Sequence, residues 1–227
     1  MKVSWSAFDV IGPVMVGPSS SHTAGACKLG YMARSIYGAF KKVDIYLHGS
    51  FAEVYEGHAT DVALVAGLMK MESHDKRIPD AFDLAKEMGI EFEFHMVDLG
   101  KEYHPNTAKF VFDGDASRSV TGASLGGGKV IVTHVGKVPM QVSLEYSTLI
   151  ICFDKSEQHA GSFIDKVESM DRDIVNIQTG QYKDEMIVAI EIREWFERVE
   201  MPSFEAMPGV KWVRFVNHLP NFVDLND

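Results

Sequence analysis

The chain has 227 residues, 46% hydrophobic, 11% aromatic and 24% charged, enough apolar material to bury a core and too much for a disordered polymer. Acidic residues number 32 against 22 basic ones, and the net charge of −10 argues against generic attraction to nucleic acid or anionic lipid. No apolar window reaches membrane-spanning length, Asp9 interrupts the stretch a signal peptide needs, and two cysteines, Cys27 and Cys152, are too few for a disulfide framework, a structural zinc site or an iron–sulfur cluster held by this chain alone. A cytoplasmic protein with neither nucleic acid nor membrane as partner is expected.

The stretch from Val3 to Gly25 is rich in small and turn-forming residues and runs into a helix, where Ala26, Leu29, Ala33 and Ile36 form one stripe and Gly38 ends it. Val43, Ile45 and Leu47 alternate as a strand, followed by a polar loop through Gly57. Val62, Val65, Ala66 and Met69 predict a second helix, and Pro79 to Met88 a third that Gly89 stops. Ile90, Phe92, Phe94 and Met96 alternate with polar residues and predict a strand buried on one face. Short strands are expected at Phe110–Phe112, Ser117–Ser124 and Lys129–Val135, with turns at Asp113-Gly114 and Gly126-Gly127-Gly128.

From about Ser147 the texture changes. The apolar run Leu149–Phe153 precedes a helix carrying Phe163, Ile164, Val167 and Met170, a hairpin of Ile174–Gln178 with Met186–Ile192, a short segment at Ser203–Met207 and a strand at Trp212–Val216. The order is β-α-β-β-α-β, the ferredoxin-like arrangement. The fold class expected is therefore mixed α/β (α+β): an N-terminal α/β substrate-binding-type domain over residues 1–146, and a small, more acidic ferredoxin-like unit over 147–227.

Three polar clusters in the first half carry the chemistry. Gly17-Pro18-Ser19-Ser20-Ser21-His22-Thr23 brings three seryl hydroxyls and an imidazole to the point where a helix begins, so side chains stand beside free helix N–H groups that suit a carboxylate or phosphate. A simple N-cap would need only one of those hydroxyls. His58-Ala59-Thr60-Asp61 repeats the arrangement at the second helix, where the helix dipole favours a neutral imidazole, suited to a general base. His104-Pro105-Asn106 presents an imidazole and a carboxamide from a rigid turn. His48, His74, His95, His134 and His218 carry no such context. A Walker A ending, a Gly-x-Ser-x-Gly elbow and a His-Glu-x-x-His motif do not occur.

Together these clusters resemble the β subunit of the iron–sulfur-dependent L-serine dehydratases, and the segment from about Ser147 to Leu219 resembles an ACT domain, a module that commonly binds amino-acid effectors. The family's β fold is also similar to a substrate-binding regulatory domain of some D-3-phosphoglycerate dehydrogenases. The resemblance implies conversion of L-serine to pyruvate and ammonia without pyridoxal phosphate, using a 4Fe–4S cluster held by a separate cysteine-rich α subunit, with no metal ligand in this chain. It implies catalytic roles for His58, His22 and Ser21, and substrate contacts from Ser19, Ser20, Thr23, Thr60, Asp61, His104 and Asn106. It also implies an effector site at His159, Ala160 and Gly161, where Gly161 lets backbone amides approach a ligand, and pairing of two chains through the ACT sheet. The competing reading is a non-catalytic amino-acid-sensing subunit. A self-contained hydrolase using Ser21 and His22 is disfavoured, because adjacent residues rarely adopt nucleophile–base geometry.

Overall fold

The computed structural model describes residues 14–143, 145–154, 157–195 and 198–218. Val3 to Pro13 of the first stretch, Lys155 and Ser156 of the link into the C-terminal helix, and the residues from Leu219 onward lie outside the described residues.

Ser20–Gly25 winds as one wide π-type turn and continues directly as helix α1, Ala26–Tyr37. The predicted stripe of Ala26, Leu29, Ala33 and Ile36 is buried and Met32 joins it. Strand β1 (Lys42–His48) buries Val43, Ile45 and Leu47 as its alternation predicts. The expected loop to Gly57 instead contains a short helix, α2 (Ser50–Val54), anchored by buried Phe51. Five residues are too few to leave a periodic signal.

Helix α3 (Thr60–Leu68) is buried from Ala63 through Leu68, as an all-round apolar sequence requires. Where it crosses α1, Gly30 and Gly67 each face the other helix's backbone. A Cβ on Gly30 would stand 2.2 Å from the Leu64 carbonyl oxygen, and one on Gly67 2.0 Å from that of Cys27. Only glycine permits this separation.

A 3-10 turn at Ile78–Asp80, containing Pro79, leads into α4 (Ala81–Glu87) and then β2 (Glu91–Met96), which pairs parallel to β1. Strands β3 (Thr107–Phe112), β4 (Asp115–Gly126), β5 (Lys129–Val135) and β6 (Val138–Val142) follow, and the sheet order is β2-β1-β3-β4-β5-β6. Strand β6 escapes sequence patterning because Pro139 interrupts it, yet proline is tolerated at a sheet edge. Phe110, Phe112, Val43 and Ile45 pack under the helices, while the alternate register puts Asp44, Tyr46, His95 and Lys109 on the opposite face.

A second sheet is built from β7 (Ser147–Asp154), β8 (Ile174–Tyr182), β9 (Glu185–Ile192) and β10 (Val210–Val216), in the order β10-β7-β9-β8 with antiparallel neighbours. Helix α5 (Glu157–Glu168) lies between β7 and β8 in sequence, and α6 (Met201–Glu205) between β9 and β10. Leu149, Ile151, Phe153, Val188 and Ile190 pack with Phe163, Val167 and Phe204. Ile150, Cys152, Ile187, Ala189 and Val216 on the other face enter the core of the first sheet and its helices. Burial of both faces is why Leu149–Phe153 reads as an unbroken apolar run. The contact is tight: Arg214 Nε donates to the Ile36 carbonyl at 2.8 Å, and a Cβ on Gly180 of β8 would stand 2.3 Å from the Pro139 carbonyl oxygen of β6. Among the described residues no helix is long and apolar enough to cross a membrane.

Candidate functional site

The three polar clusters meet around the start of α1. Ser19 caps the turn: its Oγ accepts from the His22 N–H at 3.1 Å, and its carbonyl accepts from the N–H groups of Thr23 and Ala24. One serine therefore serves as the cap, and Ser20 and Ser21 follow it half-buried. The His22 ring lies beside the second cluster and the start of α2. Its Nε2 is 3.0 Å from Ser50 Oγ at the start of α2, its edge meets Phe51 at 5.4 Å, and its centroid is 5.1 Å from that of His58. Thr23 is itself buried and its hydroxyl donates to the His58 carbonyl at 3.1 Å, tying the first loop to the second.

The third cluster is joined through Ser124 on β4. Its Oγ donates to the Ser21 carbonyl at 2.9 Å, its N–H donates to the Asn106 carbonyl at 3.0 Å, and Asn106 Nδ2 donates to the Ser124 carbonyl at 3.4 Å. Ser124 is fully buried, and a Cβ on Gly25 would fall 2.0 Å from its Oγ, so Gly25 leaves the space this bridge uses. The Gly126-Gly127-Gly128 turn has positive φ at all three residues and brings Gly126 beside the Ser21 hydroxyl. His104 is exposed, and its Nδ1 accepts from the Asn106 N–H at 3.1 Å. The Phe51 N–H donates to the Pro105 carbonyl at 3.3 Å, linking the third cluster to α2 as well.

Electrostatics follow from this packing. Burial, and then the neighbouring His58, hold the His22 imidazole below its ordinary pKa, so it is neutral at pH 7. The His58 side chain is exposed, next to Ala59 in the left-handed region (φ 54°). Asp61 is half-buried, its Oδ1 accepts from the Val62 N–H at 2.8 Å, and burial pushes its carboxyl up. Thr60 is 0% exposed and its hydroxyl has no hydrogen-bond partner among the described residues. The apolar packing of α3 turns that side chain inward.

Two participants carry no signal in the sequence. Ser50 and Ser124 have partners 28 and 103 residues away, a distance at which no local pattern marks them. The hints that exist are Gly49 (φ 60°) just before Ser50 and the triple glycine just after Ser124. In the second unit, His159, Ala160 and Gly161 lie inside α5. Ala160 is buried, His159 lies against Gly209 and Phe153, and the Cβ position of Gly161 meets nothing within 4 Å.

A two-layer α/β unit thus gathers seryl hydroxyls, two adjacent imidazoles and a carboxamide, a set able to hold a small carboxylate and move a proton. The described architecture and this site fit a substrate-handling subunit. The chain belongs to the family of serine dehydratase beta chains, which it matches over residues 6–134, a span that includes all three clusters. It is 45% identical over 150 residues to the L-serine dehydratase, beta chain, of Peptoniphilus asaccharolyticus, covering 65% of this chain and 68% of that one. It is 43% identical over 148 residues to the probable L-serine dehydratase, beta chain, of Bacillus subtilis (strain 168), covering 64% and 67%. L-serine dehydratase TdcG of Escherichia coli (strain K12) is 32% identical over 106 residues, which cover 41% of this chain and 23% of that protein.

Proposed function

We propose that this chain is the β subunit of an iron–sulfur-dependent L-serine dehydratase, a lyase that converts L-serine to pyruvate and ammonia and is complete only with a cysteine-rich α subunit. The observation that carries the reading is the convergence of His22, His58, Ser21 and Asn106 on the start of α1, in a chain of this family.

The chain's own thiols do not suit a 4Fe–4S cluster, which takes thiolate ligands. Burial, then nearby carboxylates, push both Cys27 and Cys152 up to about 12, and Cys27 donates to the Met71 carbonyl. The cluster is therefore assigned to the α subunit, and the steps assigned to this chain are binding and proton transfer. Ser20 and Ser21, on the turn that leads into α1, receive the serine carboxylate, and Asn106 and His104 orient it. His58 accepts the Cα proton. Neutral His22, held by Ser50, allows a charge to form on His58 without a second cation beside it. The hydroxyl departs as hydroxide and takes up the proton as water, leaving an aminoacrylate that tautomerises to the imine, and a water molecule hydrolyses the imine to pyruvate and ammonia.

The second sheet reads as a ferredoxin-like ACT domain. This is supported by the order β7-α5-β8-β9-α6-β10 and the sheet order β10-β7-β9-β8. On this reading the domains divide at residue 146, the open side of Gly161 belongs to an effector site with His159 and Ala160, two chains pair through this sheet, and the protein works in the cytoplasm. The test is anaerobic co-expression with the α subunit and a pyruvate assay on L-serine. His58→Ala should lower turnover by about 100-fold or more while the cluster absorbance stays. Undiminished turnover removes His58 from the mechanism, and absence of pyruvate from the wild-type pair overturns the function.

A further inference from the structure

A cleft of about 600 Å³ opens on the polar face of the first sheet, between the loop preceding β3 and strand β8 of the second sheet. Its apolar lining comes from Ala123, Ile131, Pro139 and Met140, beside Thr107 and Thr133, whose hydroxyls donate to the His104 and Thr121 carbonyls. Its rim carries Glu102, Tyr103, His104, His134, Gln141 and Gln178, with the Tyr103 ring stacked on His134 at 6.0 Å. The Glu102 carboxylate, the Tyr103 hydroxyl and the carboxamides of Gln141 and Gln178 line the cleft and make no hydrogen bond to another described residue, which leaves them to solvent or a ligand. The cleft on the other side of the junction differs, because its cations are already engaged: Arg118 with Asp113, Lys211 with Asp154 and Glu185, and Arg214 with the Ile36 carbonyl.

The lining selects a chemical class. Among the described residues it holds no lysine or arginine, and Glu102 repels anions, so a phosphate or dicarboxylate has no counter-charge there. An α-amino acid supplies an ammonium for Glu102 and a carboxylate for the N–H and O–H donors of Gln141, Gln178 and Tyr103. The apolar lining is complementary to an aliphatic or thioether side chain, and the hydroxymethyl of serine would leave it unfilled. We propose that this cleft binds a free α-amino acid with such an apolar side chain, between the two sheets and against the His104 turn. Because His104 accepts from the Asn106 N–H, the ligand rests on the turn that presents Asn106 to the candidate active site. An effect on turnover rests on the proposed function; binding does not.

Calorimetric titration of the purified chain with L-leucine, L-methionine, L-serine and 4-methylpentanoate tests the site. Saturable binding of leucine or methionine is expected, weaker by about tenfold or more for the acid lacking an ammonium, for Glu102→Gln and for Gln178→Ala. Both positions are on the rim, and circular dichroism checks that the variants fold. Absence of saturable binding by either apolar amino acid overturns the proposal, as does binding that both substitutions leave unchanged or serine binding here as tightly as leucine. Because the titration is read on this chain alone, its failure is distinct from a failure to form pyruvate with the α subunit.

Discussion

The starts of α1 and α5 make an instructive pair. Both are helix beginnings where the sequence places small and polar residues, and both suggest a ligand. At α1 the neighbouring segments reach in: Ser50, His58 and Ser124 are tied to Ser21, His22 and Thr23 by hydrogen bonds or ring contact, and Asn106 is tied to Ser124. At α5 the Cβ position of Gly161 faces open space, with His159 against Gly209. The first start is held by long-range contacts, as chemistry that depends on fixed geometry requires, while at Gly161, in the second turn of α5, a Cβ would meet no other segment within 4 Å.

The contrast is breakable, starting with the largest effect. Gly25→Ala puts a Cβ where Ser124 Oγ stands, so it should cost about 1–3 kcal/mol by overpacking. Denaturant unfolding measures this, and turnover with the α subunit should fall with it. A Gly25→Ala protein as stable and active as wild type would mean that the bridge is not needed. Ser124→Ala should cost about 1 kcal/mol through the lost bond to the Ser21 carbonyl. Its thermal midpoint and its KM for serine should both move, whereas a purely structural bridge would shift the midpoint alone.

At the other helix the sign reverses. Gly161→Ala, inside α5 with nothing to strike, should stabilise by about 0.4–1 kcal/mol and leave basal turnover unchanged. Loss of stability there would show that the open side is filled. The smallest effect is a titration. His22 has a depressed folded pKa, so its neutral form contributes stability that is fully present above the unfolded value of about 6.5 and is lost as pH falls from there through the lower folded value. His58→Asn removes the lesser cause, so by NMR the His22 titration should move upward yet stay below the ordinary value, because burial remains the larger one. A return to the ordinary value would mean that burial is not what holds it.

Much of the first unit is legible from periodicity. The stripe of α1, the alternation in β1 and the apolar run of β7 are each buried as their spacing predicts. The failures share a cause: α2 is too short for a period, and β6 is interrupted by Pro139.

The sequence by itself determined the residue chemistry and the local elements, since hydroxyls and imidazoles at helix starts and the patterns of buried faces are properties of near neighbours. Only the tertiary structure decided that Ser50 holds His22, that Ser124 joins Ser21 to Asn106, and that the second sheet packs a face into the first core. Those contacts join residues far apart along the chain, and their formation depends on how whole layers pack, which no window of sequence contains.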